Sequence, residues 1–177
     1  MKRAYEHNPR VPWGLYFADD ATSGDVMPTD WTHGAITLED LSNGAARVSA
    51  QYDINEKHSY VRQWWRWRAN FEFDSASVAG NITRLYIAGA DDSSAAHVDG
   101  SLGVSNAAVA DVDYLANCDN FGNVDGIDLA AGCVSSGLVR IVDRYVSLAV
   151  KNDSGQNMIG VGLSWVKMWP VPEIEVT

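Results

Sequence analysis

The sequence predicts an all-β fold, an antiparallel β-sandwich, on three observations. Residues 60–74, YVRQWWRWRANFEFD, alternate between apolar and charged side chains, which is the period of a strand with one buried face. Several further segments of this kind are separated by polar turns. No segment of useful length has the 3.6-residue period of an amphipathic helix. Two sheets packed face to face would bury the apolar side of each strand.

Composition narrows the class of protein further. The length of 177 residues and the hydrophobic content of 46% are those of one globular domain with a sizeable core. Acidic residues outnumber basic ones by 23 to 13, for a formal net charge of -10. Such a surface repels phosphate groups, so we expect neither nucleic acid nor an anionic membrane as a partner. No secretory signal or membrane span is recognisable, so we expect a reducing environment in which Cys118 and Cys133 are thiols. A disulfide between them is the alternative.

The chain is predicted to divide into an extended N-terminal arm, residues 1–35, and a single β-sandwich domain, residues 36–177. Pro and Gly recur in the arm without any sustained period. Its first 18 residues carry three basic residues and one acidic residue, in contrast to the acidic body. This asymmetry favours an arm that docks on a neighbour, with a solvated tail as the alternative. The arm residues expected to contact a partner are Lys2, Arg3, Arg10, Trp13 and Tyr16.

The first part of the sandwich is predicted as two neighbouring strands. Residues 35–44 suit a short strand or a helical turn, and residues 47–54 alternate with Val48 and Tyr52 on the covered face. A polar turn at residues 55–58 leads into the tryptophan strand. We expect these two strands to lie side by side in one sheet, with Tyr52 and the tryptophans on the same covered face.

The tryptophan strand is predicted to have two chemically different faces. Its inward face would hold Val61, Gln63, Trp65, Trp67, Ala69, Phe71 and Phe73. Its outward face would hold Arg62, Trp64, Arg66, Arg68, Asn70, Glu72 and Asp74. Large aromatic rings at the inward positions can anchor a core between two sheets. Trp64 breaks the pattern, because it stands among arginines on the side that faces water.

The middle of the chain is predicted to be rich in loops. Residues 82–90 are apolar on both faces and suit a central strand. Residues 91–137 are rich in Asp, Asn, Ser, Gly and Ala, which indicates long acidic loops around weak strands at 108–115 and 127–131, with a helix at 109–117 as an alternative. From Leu85 through Val139 there is no Lys or Arg.

The end of the chain is predicted to return to strands. Residues 138–152 form one strand, followed by a turn at 152–155. Residues 158–176 form the last strand, which prolines end. One face of this strand would hold Val161, Leu163, Trp165 and Trp169. Because the two best strand groups lie far apart in sequence, the preferred topology is a jelly roll.

No motif of the chain predicts catalysis, so we expect no enzyme, no cofactor and no metal. Residues 119–128, DNFGNVDGID, could supply oxygen ligands for calcium, but a helix-loop-helix calcium motif would place Phe121 at its first ligand position. A solvated loop is the better interpretation. Glu72 and Asp74 share a strand face, as a glycosidase pair could, but the arginines of that face explain them as ion pairs.

The clearest candidate site is the outward stripe of the tryptophan strand, formed by Arg62, Trp64, Arg66 and Arg68. Trp and Arg are the favoured anchors of buried protein contacts, and an indole can stack under a guanidinium. Three interpretations stay open. The stripe is covered within the chain by the other sheet or the arm, it forms an inter-subunit seam against a neighbour's acidic loops at 91–128, or it is a platform for a glycan.

Residues 139–176 add a family resemblance. Their pattern R-Y-V-x-L-x-V-x-N-x-S/T-G is carried by Arg144, Tyr145, Val146, Leu148, Val150, Asn152 and Gly155. This segment resembles the closing strands of small jelly-roll virion proteins of tailed bacteriophages. The resemblance implies a capsid decoration (cement) protein, a homotrimer made in the host cytoplasm that clamps major capsid protein subunits on the capsid exterior. The arm would lie on the capsid lattice, and the stripe would form the trimer or capsid contact. A receptor- or carbohydrate-binding module of a tail fibre is the alternative.

Overall fold

The computed structural model describes residues 13–19, 27, 31–54, 63–75, 80–94, 98–99, 102–125, 133–159 and 164–171. Within them the chain forms strands and one short 3-10 helix, Val112–Asn117. The strands are β1 Leu15–Ala18, β2 Thr32–Ala35, β3 Ala46–Val48, β4 Tyr52–Asp53, β5 Gln63–Phe71, β6 Ile82–Ala90, β7 Ala107–Ala108, β8 Asp119–Asp125, β9 Cys133–Ile141, β10 Tyr145–Asp153 and β11 Trp165–Pro170.

The strands form two packed sheets. Sheet I has the order β2-β1-β11-β5-β9, and sheet II has the order β7-β3-β10-β6-β8, with β4 also paired to β10. Every strand pair is antiparallel except β1 with β2. When the short β2, β4 and β7 are left out, eight strands remain, and they can be counted from one to eight along the chain. In this count, sheet I has the order 1-8-3-6 and sheet II has the order 2-7-4-5. This is the order of a jelly roll, so the predicted sandwich and its topology are confirmed.

The tryptophan strand lies between β11 and the edge strand β9 of sheet I and alternates as predicted. Trp65 and Trp67 are 0% and 3% exposed between the sheets, whereas Trp64 is 50% exposed on the outer face. Phe71 and the bridging Phe73 are also buried in the same core. Each ring removes a large apolar area from water, so this one strand contributes much of the hydrophobic stabilisation.

Trp67 closes the sandwich at the side where β8 and β9 are the edge strands of their sheets. A Cβ atom at Gly122 of β8 would lie 2.6 Å from Cζ2 of this indole, and one at Gly137 of β9 would lie 2.7 Å from its Nε1. Phe121 packs against the indole edge to face, with ring centroids 5.6 Å apart. Glycine at both positions therefore makes room for the largest side chain.

The predicted pairing of residues 47–54 with the tryptophan strand is wrong. β3 and β4 pair with β10 in sheet II, whereas β5 lies in sheet I. Tyr52 does face the shared core, where its ring packs edge to face on Phe17 at 5.7 Å. The alternation of a strand shows which face is buried but not which sheet the strand joins, so strands of two different sheets were predicted to be neighbours.

The single strand predicted at residues 138–152 is two strands in different sheets. β9 ends at Ile141 in sheet I, and β10 begins at Tyr145 in sheet II. The turn between them places Arg144 against Asp53 of β4, with Nη2 donating to Oδ2 at 2.6 Å and Nε donating to Oδ1 at 3.0 Å. This ion pair fixes the point at which the chain crosses from one sheet to the other.

The acidic middle of the chain is more ordered than the predicted loops. The segment predicted as a strand at 108–115 contributes only the end of β7 and then enters the 3-10 helix, which Asp111 caps by accepting from the backbone N–H of Asp113 at 3.0 Å. The segment predicted as a loop at 119–128 is strand β8 over residues 119–125. The predicted strand at 127–131 lies outside the described residues. Polar residues suit β8 because it is an edge strand that alternates exposed Asn123 and Asp125 with buried Val124.

The same segment covers the outer face of sheet II. Leu115 of the 3-10 helix packs with Val48 and Ala149, and Val98 packs with Ala88 and its neighbours. The acidic residues of the segment remain on its solvent side. A sequence that looks like solvated loop therefore has a packing role.

The face of the last strand that enters the main core is the opposite of the predicted one. Val166 and Met168 of β11 are fully buried in the core, whereas Trp165 and Trp169 belong to a separate cluster on the outer face of sheet I. Val161 and Leu163 lie outside the described residues.

The predicted turn after β10 is confirmed and centres on a buried side chain. Nδ2 of Asn152 donates to the carbonyls of Leu41 at 2.7 Å and Gln156 at 2.8 Å. Its Oδ1 accepts from Ser154 through both the backbone N–H at 3.1 Å and the hydroxyl at 2.6 Å. Gly155 follows at a φ of 85°, a conformation that favours glycine.

Part of the predicted arm belongs to the sandwich. β1 pairs with β11, and β2 pairs with β1, so the sheet includes residues on both sides of the boundary predicted at residue 35. Residues 1–12 lie outside the described residues.

Candidate partner-binding face

The outer face of sheet I presents an exposed surface along β5 and β9. Antiparallel register places Trp64 opposite Arg140, Arg66 opposite Leu138, and Arg68 opposite Ser136. These side chains point away from the core, because the alternate positions of β5 are buried and those of β9 are buried or half-buried. We call this surface the β5–β9 face; its residues are Trp64, Arg66, Arg68, Val134, Ser136, Leu138 and Arg140.

Exposed apolar groups concentrate on this surface. Trp64, Val134 and Leu138 are 50%, 50% and 52% exposed, and Val142, just beyond β9, is 45% exposed. Of the described residues, only Tyr114 is a comparably exposed large hydrophobic residue elsewhere. Single exposed apolar side chains are ordinary, but a contiguous group marks an interaction surface.

The other half of the outer face of sheet I is covered by the chain itself. Tyr16, Trp31 and Trp165 are buried together there. Trp169 packs on Trp31 with ring centroids 5.8 Å apart, and Nζ of Lys167 lies 4.7 Å from the centroid of the Trp165 ring. Among the described residues no other segment covers the β5–β9 face, so it is the part of sheet I that stays exposed.

The cations of the β5–β9 face are not neutralised by the described part of the chain. The ion pairs that form among the described residues join Arg84 and Lys151 to Asp153, and Arg144 to Asp53. All of them lie on the side of sheet II. Arg68 lies opposite Lys167 on β11, so cationic side chains continue from the β5–β9 face to the neighbouring strand.

A small open depression lies within the face. It has a volume of about 240 Å³ and is lined by Arg66, Ser136, Gly137 and Leu138. Gly137 contributes only backbone to the depression, because a Cβ at this position would point into the core, 2.7 Å from Nε1 of Trp67. The depression is large enough for one projecting side chain or one sugar group of a partner.

The structure separates the predicted site residues into three groups. Trp64, Arg66 and Arg68 lie together on the β5–β9 face. Trp13 and Tyr16 are 8% and 0% exposed, so their side chains are packed within the chain and do not form a partner surface in this fold. Trp13 donates from Nε1 to Oγ1 of Thr32 at 3.1 Å. The remaining predicted residues, Lys2, Arg3, Arg10 and Arg62, lie outside the described residues.

Sequence reasoning missed the contribution of β9 to this surface. Val134, Leu138 and Arg140 share its exposed side, one strand away from the tryptophan stripe. The alternation over residues 133–141 could have shown this side of β9, but its partner in the sheet was not readable from the sequence.

A group of acidic side chains lies at one end of the sandwich. Burial raises the pKa of Asp143, and the negative charges of Asp99, Asp119 and Asp91 raise it further. Burial, with Asp99 and Asp119, also raises the pKa of the Cys118 thiol to about 11, so this free cysteine is protonated and unreactive at neutral pH. Among the described residues, no three His, Cys, Asp or Glu side chains are grouped so that they could hold a metal ion.

Comparison with known proteins identifies no family. No protein-family model matches the chain, and no curated protein matches it. Among solved structures the chain is similar to Eiger TNF from S. frugiperda, with 12% sequence identity, a TM-score of 0.36, and coverage of 92% of this chain and 88% of that chain. Within the described residues, no helix has the length and apolar character needed to cross a bilayer.

Proposed function

We propose that the protein is a non-enzymatic structural protein of a bacteriophage virion, most specifically a capsid decoration (cement) protein. It would stabilise the head from the capsid exterior through contacts with the major capsid protein and with further copies of itself. The observation that carries the proposal is the β5–β9 face, where exposed Trp64 and Leu138 alternate with arginines that have no carboxylate partner among the described residues.

The shape and chemistry of this face suit a protein partner. Its depression is open rather than enclosed. Aromatic and arginine side chains are enriched at the centres of protein interfaces because they bury large areas and donate several hydrogen bonds. Its positive charge within a chain of net charge -10 favours an acidic counterpart.

The assignment to a virion rests on the resemblance of residues 139–176 to closing strands of phage jelly-roll proteins. Two residues of that pattern have a clear physical role here. Asn152 makes hydrogen bonds within the turn after β10 and to the carbonyl of Leu41, and Gly155 supplies the turn's positive φ. The pattern therefore describes a turn that follows β10 and is held by a buried asparagine.

The test is the abundance and position of the protein in phage particles. We expect mass spectrometry of purified particles to find it at a stoichiometry comparable to that of the major capsid protein. We expect particles that lack it to bind the purified protein, with weaker binding for Trp64→Ala. Its absence from particles, or its presence in only a few copies at the tail, would contradict a decoration role.

A second function is favoured by one observation. Trp64 is half exposed beside the depression formed by Arg66, Ser136 and Leu138, and an exposed indole can stack on the face of a sugar ring. The protein would then be a receptor- or carbohydrate-binding module of a tail fibre. Glycan-array binding that disappears in Trp64→Ala, without loss of particle assembly, would support this function over the first.

A further inference from the structure

We propose that residues 172–177, PEIEVT, lie over the β5–β9 face in the free protein and are displaced when a partner binds there. This inference rests on the proposed function in assigning the face to partner contacts. It adds the regulation of that face by a named segment of the same chain, which we call the 172–177 segment. The segment lies outside the described residues, and Val171 is its described neighbour.

The 172–177 segment starts at the border of the face. The backbone N–H of Val171 donates to the carbonyl oxygen of Trp64 at 2.8 Å, which continues the pairing of β11 with β5 by one residue. Arg140 lies opposite Trp64 on β9, one strand further. Two strand spacings are about 10 Å, whereas six extended residues span about 20 Å. The segment is therefore long enough to cross both strands of the face.

Charge favours this segment as the occupant. Its ionisable side chains, Glu173 and Glu175, are both acidic, and the face carries arginines. Residues 1–12 carry three basic residues and one acidic residue, so the arginines would repel them. Residues 20–30 are also acidic, but they join β1 to β2, on the far side of β11 from the face.

The face presents apolar and cationic side chains at alternate corners of a square. Trp64 lies opposite Arg140, and Arg66 lies opposite Leu138. Trp64 and Leu138, which are 50% and 52% exposed, therefore form one diagonal, and the two arginines form the other. Diagonal neighbours on a sheet are about 7–8 Å apart.

The 172–177 segment has a spacing that fits this square. Ile174 and Val176 are two residues apart, which is about 7 Å in an extended chain. Ile174 can therefore contact Trp64 while Val176 contacts Leu138. Glu175 then lies between the two arginines of the other diagonal. Their long stems can pass beside the segment and bring both guanidinium groups to this carboxylate.

Pro172 suits the change of direction that this position requires. β11 runs from the Arg66 end of the face toward Trp64, so the segment must turn back to reach Leu138. Proline is favoured at the second position of a β-turn because its ring fixes φ. A turn over residues 171–174 would bring its last residue within about 7 Å of Val171, and thus over Trp64.

The contact can cover the face without being strong, because it is intramolecular. A short connection gives the segment a local concentration on the order of 1 mM. An interaction with an affinity of about 0.1 mM then covers the face in about nine of ten molecules. A partner that needs the uncovered face binds such a chain about tenfold more weakly than one without the contact.

The test is the NMR signal of the Trp64 indole N–H in the full-length chain, assigned by its loss in Trp64→Phe. We expect Glu175→Lys and Ile174→Ser each to shift this signal, because each removes one part of the contact. Added salt should shift the wild-type signal in the same direction, because it weakens the pairing of Glu175 with the arginines. Glu39→Lys makes the same charge change at an exposed acidic residue after β2 and should leave the signal in place.

The outcomes that overturn the inference are specific. One is a Trp64 signal that is unchanged in both Glu175→Lys and Ile174→Ser, and another is an equal shift in Glu39→Lys. A wild-type signal that moves on dilution would assign the contact to a second copy and would also overturn it. Circular dichroism of each variant checks that the fold is retained.

Binding to phage particles separates this inference from the proposed function. We expect particles that lack the protein to bind Ile174→Ser about tenfold more tightly than the wild type. Equal binding of the two would overturn the regulation and leave the decoration role in place. A Trp64 signal that responds as expected in a protein that is absent from particles would contradict the decoration role alone.

Discussion

The close approach of Gly122 and Trp67 gives the sharpest test of the core. In Gly122→Ala the new methyl group would lie 2.6 Å from Cζ2 and 2.8 Å from Cη2 of the indole, well inside contact distance. The indole is held on its other side by Gly137 of β9, so it has little room to move. We expect the methyl group to force β8 away from the core.

The size of the effect follows from this overlap. Overpacking of a close-packed core costs about 1–3 kcal/mol of unfolding free energy. For a chain of this length each kcal/mol lowers the melting temperature by about 2–4 °C, so Gly122→Ala should melt about 2–12 °C below the wild type. Urea denaturation and differential scanning calorimetry would measure both quantities.

A double-mutant cycle with Trp67→Phe identifies the cause. Phenylalanine lacks the indole atoms nearest to Gly122, so in that background the methyl group should be harmless, or stabilise by about 0.4–1 kcal/mol as alanine does where the backbone permits it. The coupling should be about 1 kcal/mol or more. Additive effects of the two substitutions would refute the proposed close packing.

Gly44→Ala is the matched control. No atom lies within 4 Å of a Cβ at this position, but its φ is 82°. Its cost of about 1 kcal/mol should come from the left-handed conformation and should be the same with Trp or Phe at position 67. A coupling of Gly44→Ala to Trp67→Phe would mean that the cycle reports general loosening of the fold rather than a contact.

Three further predictions concern single side chains. Trp65→Ala should lower the unfolding free energy by about 3–5 kcal/mol because it leaves a cavity in the core. Trp64→Ala, one residue away on the outer face, should lower it by less than about 1 kcal/mol. Equal losses for the two variants in urea denaturation would contradict a strand with one buried and one exposed face. Asn152→Ala removes a buried side chain that makes four hydrogen bonds and leaves the backbone N–H of Ser154 without its acceptor, whereas the carbonyls of Leu41 and Gln156 keep donors in the N–H of Met158 and the hydroxyl of Ser154. It should lower the unfolding free energy by about 1–3 kcal/mol, and a loss below about 0.5 kcal/mol would mean that water replaces the side chain. Asp143→Asn should raise the melting temperature at pH 7 but hardly change it below about pH 4. The raised pKa of Asp143 means that its ionised form is unfavourable in the folded chain, so stability is lost as pH rises through that pKa. An equal gain in melting temperature at both pH values would contradict this explanation.

The sequence predicted the direction of side chains better than the pairing of strands. The alternation around Trp65 and Trp67 gave the correct buried face, because each ring has only one side of the strand on which it can leave water. The same alternation could not distinguish the two sheets of the sandwich, since both present apolar side chains to one core. This is why β3 and β5 were expected to be neighbours.

Two further errors have a common physical origin. β8 was predicted as a loop because its side chains are polar, yet an edge strand needs only one apolar side and hydrogen bonds to one neighbour. The wrong face of β11 was predicted to be buried in the main core, because Trp165 and Trp169 are the largest apolar residues of that strand and were therefore assigned to the inside. They are instead covered on the outer face by Trp31 and its cluster, so hydrophobicity alone did not distinguish the main core from a second one.

The exposure of Trp64 follows from how the chain covers its two sheets. Val98, Leu102 and Leu115 pack on sheet II, and Tyr16, Trp31 and Trp165 close half of sheet I. Along β5 and β9 the described chain supplies no such covering segment. The three arginines of the β5–β9 face instead surround the apolar side chains there with charged, hydrated groups. A surface that is both apolar and cationic on an otherwise acidic protein is the reason for proposing a partner at this face.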